Sequence, residues 1–315
     1  MKALITGVSG FVGKYLTQYL LSEHECEVTG VDVVSPSSDL LGLNGFNFYQ
    51  IDLMDDGAVR SLIAREKFDE VYHLAAQSSV TLSWSNEVQT YRLNIFGQLN
   101  ILSALLESSP ETRVLVTGSS EVYGKVSIEE IPIKETAPLK PLSPYAVSKA
   151  AQDLMAYEYY AAHGLRTYRT RSFNHIGPGQ NARFVCADFA RQIADIEAGR
   201  MNPEIGVGNI EVIRDFTDVR DVVAAYCTIL RKGRAGEAYN VCSGYGISIS
   251  RLLEVLLSNS KKEIQVVIDQ GRFRPADIPV LIGDRSKLTL ELGWEPKINI
   301  EQSALDVLNC FRNPV

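Results

Sequence analysis

Tyr145 and Lys149 stand four residues apart in Tyr145-Ala146-Val147-Ser148-Lys149. On a helix that spacing puts a phenol and an ammonium on one face, where both can address one bound molecule. A free phenol titrates near pH ~10. A neighbouring positive charge favours the phenolate, which makes Tyr145 a candidate acid or base near neutrality. A third member is offered by Ser119, in the run Thr117-Gly118-Ser119-Ser120-Glu121-Val122-Tyr123-Gly124 that ends a strand-like segment. Its hydroxyl could hold a reacting oxygen against Tyr145. Ser120 and Glu121 would flank the substrate, Glu121 being equally readable as a loop acid bonded to backbone.

A second cluster precedes it. Gly7-Val8-Ser9-Gly10-Phe11-Val12-Gly13 lies between the first strand pattern and the first helix pattern. Missing side chains there let the backbone approach a pyrophosphate, and the helix N-terminus then faces the anion. Asp32 closes the second strand 19 residues after Gly13, where a carboxylate accepts hydrogen bonds from the adenosine ribose hydroxyls. A 2'-phosphate would meet like charge there, worth up to ~4 kcal/mol at ~4 Å and an effective dielectric of ~20. Val33, Val34 and Ser35 provide no arginine to offset it. NAD(H) is therefore expected over NADP(H), with NADP(H) left open.

These residues need a scaffold that brings them to one edge. From residue 2 to about 174 a short β-branched run, a turn and a helix-period segment repeat, the signature of a parallel sheet covered by helices. Strands are expected at 3–6, 27–34, 48–53, 70–74, 113–117 and 166–172, and helices at 13–22, 57–66, 87–107 and 143–163. After Asn174 prolines and glycines break the chain into shorter pieces, while 218–242 reads as one more helix and strand returning to the first sheet. The expected fold is α/β, a Rossmann-type doubly wound parallel sheet with a smaller mixed C-terminal substrate-binding region. Residues 1–174 and 215–243 would form the dinucleotide-binding part, and 175–214 and 244–315 the substrate-binding part.

Composition narrows the class. Of 315 residues, 45% are apolar and 22% charged, as in a globular chain. The net charge of −7 and the lack of a basic run argue against a nucleic-acid partner. No stretch reaches the ~18 apolar residues of a membrane span, and the start shows no secretory signal, so a cytoplasmic protein is expected. The five cysteines are scattered and His24, His73, His163 and His175 lack ligand spacing, so reduced thiols and no metal are expected.

With these motifs in hand, the chain resembles the extended short-chain dehydrogenase/reductases over nearly its whole length, in their nucleotide-sugar branch. The runs from Arg171 to Gln180, Val207 to Asn209, Arg214 to Asp221 and Arg274 to Asp277 are similar to those of GDP-4-keto-6-deoxy-D-mannose reductases and the related GDP-mannose 4,6-dehydratases. The resemblance implies cofactor contacts from Asp52 and Leu53, from Leu74, Ala75, Ala76 and Gln77, and from Thr117. It implies that Asn174 and Arg214 lie at the nucleotide diphosphate, Arg274 on phosphate and Asp277 near the nucleotide ribose. Guanidinium on phosphate is sound bidentate chemistry in its own right.

The same resemblance implies reduction of the C4 ketone of a GDP-4-keto-6-deoxyhexose to GDP-D-rhamnose, with Tyr145 protonating the forming alkoxide. Dehydratases carry a Thr-Gly-x-Thr-Gly-Gln-Asp-Gly turn and an Arg-rich loop after the second strand; Ser9 to Gly13 and Val33 to Pro36 depart from both. Glu121 keeps elimination chemistry open, because dehydratases use a glutamate to take the C5 proton. A 4-epimerase, which retains its cofactor, is the remaining alternative. The guanine base comes from the resemblance alone, as does a homodimer formed through the helices at 87–107 and 143–163. Asn94 is read as a structural or water-holding helix residue outside the catalytic set.

Overall fold

The computed structural model describes residues 1–22, 26–273 and 278–313. Its first part alternates strand and helix: β1 (Lys2–Thr6), α1 (Phe11–Ser22), β2 (Glu27–Asp32), α2 (Ser38–Leu41), β3 (Phe46–Gln50), α3 (Asp56–Glu66) and β4 (Glu70–His73). Then come α4 (Val80–Ser85), α5 (Glu87–Tyr91), α6 (Gly97–Ser108), β5 (Arg113–Ser119), α7 (Pro144–His163), β6 (Thr167–Ser172) and β7 (Asn174–Ile176). The rest comprises α8 (Val185–Glu197), β8 (Glu204–Val207), β9 (Ile213–Asp218), α9 (Val219–Lys232), β10 (Ala238–Val241) and β11 (Gly246–Ser248). It ends with α10 (Ile249–Leu257), β12 (Gln265–Ile268), β13 (Val280–Leu281), α11 (Ser286–Leu292) and α12 (Ile300–Arg312).

Seven strands form one parallel sheet in the order β10-β6-β5-β4-β1-β2-β3. Apart from the β3 edge, the strands bury most of their residues because both faces are covered. On one face Leu16 and Leu20 of α1 pack with Val222, Tyr226 and Ile229 of α9. On the other, Leu62 and Ile63 of α3 meet Leu102 and Leu105 of α6 and Tyr159 of α7. The chain reverses its direction of travel across the sheet at β1, which has β2 on one side and β4 on the other. A crevice opens at the carboxyl ends of strands on such a switch point, and the glycine turn sits there.

A smaller sheet is built on β9, which pairs with β7, β11 and β13, and β8 pairs with β12. Helices α8, α10 and α12 bury Phe189, Ile193, Leu252 and Leu308 in its core. The return predicted for 218–242 is made by α9 and by β10, which pairs parallel with β6.

Two elements differ most from expectation. The third strand is Phe46–Gln50 rather than 48–53. Ile51 N–H still donates to the Asp32 carbonyl at 3.1 Å, but Asp52 then turns the chain, its carboxylate accepting from Met54 N–H at 2.9 Å. The single helix expected at 87–107 is α5, a π-helical turn over Arg92–Phe96, and α6. Such wide turns inside helices often serve a site, and this one carries the fully buried Asn94.

Helix α7 begins where its sequence dictates. Ser143 Oγ accepts from Ala146 N–H at 3.1 Å, Pro144 occupies the first turn, and Gly164 ends the helix with φ of 76°.

Candidate active site

Gly7, Gly10, Phe11, Val12 and Gly13 form one wall of a cavity of about 620 Å³. The glycines are required by packing. A Cβ on Gly13 would lie 2.4 Å from the Val8 carbonyl oxygen, and one on Gly7, whose φ is +72°, would lie 2.8 Å from Ala75 Cα. At the end of β2 the Asp32 carboxylate accepts from Ser9 N–H at 3.0 Å and from Val33 N–H at 2.7 Å. It is thus oriented as an acceptor along the cavity wall. Asp52, Leu53 and the run Leu74 to Gln77 line the same space. A glycine turn backed by an oriented carboxylate fits a dinucleotide.

Thr117, Ser119, Ser120, Glu121, Tyr145 and Lys149 line the opposite part of the cavity. Lys149 Nζ donates to the Thr117 carbonyl at 2.9 Å. Ser119 Oγ caps the turn that follows β5, accepting from Glu121 N–H at 3.2 Å. Ser119 and Tyr145 line the same stretch of the wall, close enough for the hydroxyl to lower the phenol's pKa.

The electrostatics of the pair are dominated by burial. Burial holds the Tyr145 phenol well above its ordinary pKa; the Ser119 hydrogen bond pulls it down, while Glu121 and Tyr226 push it up. Burial also lowers the Lys149 amine to about 7, so the ammonium that would stabilise a phenolate is itself penalised. Desolvation outweighs charge here. Within the protein burial favours the protonated form of the Tyr145 phenol.

Asn94 links the two walls. Its Oδ1 accepts from Gln77 N–H at 2.7 Å, and its Nδ2 donates to Ser148 Oγ at 2.8 Å and to the Gln77 carbonyl at 3.1 Å. It fixes the backbone of the β4–α4 loop against α7 and does not line the cavity. Beneath Lys149, His73 contacts Thr6 Oγ1 at 2.8 Å through Nδ1. Burial, followed by the nearby Lys149 charge, drives its pKa down to about 3, so it is neutral.

Asn174 lines the cavity, as do His175 and Gln180 of the same motif. The His175 ring stacks on Phe11 of the glycine turn, with centroids 6.2 Å apart and planes 6° apart. Its Nδ1 lies 3.2 Å from the Phe173 carbonyl; a carbonyl only accepts, so Nδ1 carries the proton and Nε2 is left as an acceptor. Arg183 and Phe184 at the start of α8 also line the wall. Neither was expected at the site, although Pro178 and Gly179 mark the turn that brings them there. Arg214 is buried, and its Nη1 donates to the carbonyls of Ile213 at 2.9 Å and Ile278 at 2.6 Å. It does not line the cavity, whereas Arg183 does. Arg274 and Asp277 lie outside the described residues.

Residues 4–306 match the model of the GDP-mannose 4,6 dehydratase family. The chain belongs to that family. Within it, the chain is 36% identical to GDP-6-deoxy-D-mannose reductase of Pseudomonas aeruginosa, over all of this chain and 98% of the relative. It is 28% identical to a GDP-mannose 4,6-dehydratase of Vibrio cholerae, over 97% of this chain and 92% of the relative. The structure of RMD from Pseudomonas aeruginosa complexed with NADPH superimposes with a TM-score of 0.89 at 35% identity, all of both chains being covered. Family members thus include reductases and dehydratases on one scaffold. Among the described residues no helix is long and apolar enough to cross a membrane, and no group of three or more His, Cys, Asp or Glu could hold a metal ion.

Proposed function

We propose that this chain reduces the C4 ketone of a nucleotide 4-keto-6-deoxyhexose, GDP-4-keto-6-deoxy-D-mannose to GDP-D-rhamnose. The observation that carries the reading is the buried Tyr145 phenol with Ser119 and Lys149 on the wall of the same cavity as the glycine turn. A ketone reductase needs an acid at that point, and the Pseudomonas aeruginosa relative supports the substrate class. A bound nicotinamide dinucleotide supplies the hydride, and the Asp32 carboxylate favours NADH over NADPH. Ser119 holds O4, Tyr145 gives its proton to that oxygen as it becomes an alkoxide, and Lys149 holds the ribose of the nicotinamide half. General acid catalysis of this kind contributes ~10²- to 10⁴-fold.

Dehydration of GDP-mannose is the second reading, supported by Glu121 in the cavity wall and by the dehydratase relatives. In that reading Glu121 is the base at C5. Residues 1–174 with 215–243 would bind the dinucleotide, and 175–214 with 244–315 the nucleotide sugar. The diphosphate would meet Arg183 and the start of α8, with Arg274 and Asp277 as further candidates. Exposed Trp84, Val88, Phe96, Leu154 and Tyr157 on the segments from α4 to α7 support a homodimer through that face. Four of the five free thiols are buried, which suits a cytoplasmic protein.

The deciding experiment follows absorbance of NADH, then NADPH, on mixing the protein with GDP-4-keto-6-deoxymannose, and separately analyses the products from GDP-mannose alone. Rapid loss of reduced cofactor supports the reductase. Conversion of GDP-mannose to a 4-keto product without added reductant overturns it in favour of the dehydratase.

A further inference from the structure

Arg171 opens the motif that leads to Asn174, yet it faces away from the cavity wall, into a buried network. Asp153 lies four residues beyond Lys149 and eight beyond Tyr145, on the same face of α7. Its carboxylate, 1% exposed, accepts from Arg171 Nε at 2.9 Å and Nη2 at 3.2 Å, and from Arg169 Nη1 at 2.5 Å. Arg171 turns its remaining nitrogen, Nη1, to the Tyr123 hydroxyl at 3.2 Å and to the Glu135 carbonyl at 2.8 Å. The Tyr123 hydroxyl in turn donates to Asn240 Oδ1 on β10 at 2.7 Å. Tyr123, fully buried, is the last residue of the short 3₁₀ turn that begins directly after Ser119.

The two halves of the acid therefore sit on different elements. Ser119 ends β5 and leads into the turn, Tyr145 is on α7, and Arg171 on β6 bonds a group from each. We propose that Arg171 and Tyr123 are positioning residues for the reaction: together with Asp153 they fix the turn bearing Ser119 and Glu121 against the helix bearing Tyr145 and Lys149. This rests on the reading of Ser119 and Tyr145 as the acid pair. Buried ion pairs are a poor way to gain stability, since apolar residues of equal volume often serve as well or better. A bidentate guanidinium adds fixed direction in three dimensions. Direction matters at this point because a displacement of ~1 Å in a catalytic pair costs on the order of 10²-fold in rate.

The test is a double-mutant cycle on kcat between Tyr123→Phe, which removes one hydroxyl and keeps the ring, and Ser119→Ala. Tyr123→Phe should lower kcat about tenfold in the wild-type background and less than twofold in Ser119→Ala, with the cofactor dissociation constant nearly unchanged and the melting temperature lowered equally in both backgrounds by the Asn240 acceptor left without its donor. The alkaline limb of the kcat profile should also move up in Tyr123→Phe, because loosening the Ser119 bond removes what pulls the phenol down. Asp153→Asn is the second variant, with the same expected direction. Equal losses from Tyr123→Phe in both backgrounds, or no loss in either, would overturn the proposal. No loss in Ser119→Ala alone would instead strike the acid-pair reading. Should the chain dehydrate GDP-mannose, the same cycle is run on that reaction, which uses the same hydroxyl and phenol.

Discussion

Lys149 donates to the main-chain carbonyl of Thr117 at 2.9 Å, so a side chain of α7 closes directly on the end of β5. That bond directs an amine which burial has brought down to about 7. The unfolded chain holds its proton up to about pH 10.4. Between those values the unfolded state binds more protons than the folded one, so this group's contribution to stability rises with pH across the window and is lost as pH falls through 7. Lys149→Met should therefore raise the melting temperature relative to wild type at pH 6, with a gain of up to roughly 4 kcal/mol, and lose that advantage by pH 10. Thermal melts of both proteins across that range check it. A difference that is flat with pH contradicts the burial of a charged amine.

Tyr145→Phe keeps the ring in its buried place and removes the transferable proton. Turnover should fall ~10²- to 10⁴-fold, while nucleotide-sugar binding by calorimetry stays within about twofold. Ser119→Ala should leave Tyr145 protonated to still higher pH, because the Ser119 hydrogen bond is what lowers its pKa. Its kcat for reduction would then drop in level while the alkaline limb moves upward.

Much of this site was legible because its motifs have fixed positions along an alternating strand and helix pattern. The glycine turn follows β1, Asp32 ends β2, and Ser119 ends β5, so a parallel sheet brings all three to one edge. The reading failed where packing overrides spacing. The π turn at Arg92–Phe96 leaves no mark in the apolar periodicity of 87–107, since it exists to let buried Asn94 reach Gln77 and Ser148. A phenol and an ammonium four residues apart say nothing about burial, which is the largest influence on both groups. The carbonyls of Ile213 and Ile278 that hold Arg214 Nη1 become visible only when β9 and the approach to β13 are side by side. Arg183 had no motif, and only the course of the chain into α8 brings it to the cavity.

Asn94→Ala leaves Gln77 N–H without its acceptor and Ser148 Oγ without a donor. Losing a partner to a buried polar group costs about 1–3 kcal/mol, so the denaturation midpoint in urea should fall accordingly. Because Gln77 lines the cavity, cofactor affinity should fall as well. Asn94→Asp, which keeps the acceptor for Gln77 N–H, should restore cofactor binding more than stability. Fluorescence titration beside a urea melt separates the two effects.

Asp32 is the point at which cofactor choice can be changed with one substitution. Its two carboxylate oxygens are held by Ser9 N–H and Val33 N–H, and Ser9 Oγ ties the glycine turn to the Val34 carbonyl at 2.7 Å. The negative charge is therefore fixed in place and cannot swing away from a 2'-phosphate. Asp32→Ser removes the charge and keeps a hydroxyl for the ribose. The ratio of kcat/KM for NADPH over NADH should rise by about 10- to 100-fold, the range expected when a like-charge contact of a few kcal/mol near the surface is relieved. Adding Val33→Arg should carry the ratio further, since an arginine at that exposed position can pair with the phosphate. The structure of RMD from Pseudomonas aeruginosa was solved with NADPH. A ratio unmoved by Asp32→Ser would mean that the carboxylate does not face the adenosine ribose, and cofactor choice would have to be sought in Gln50, whose amide reaches the Val33 carbonyl at 2.9 Å.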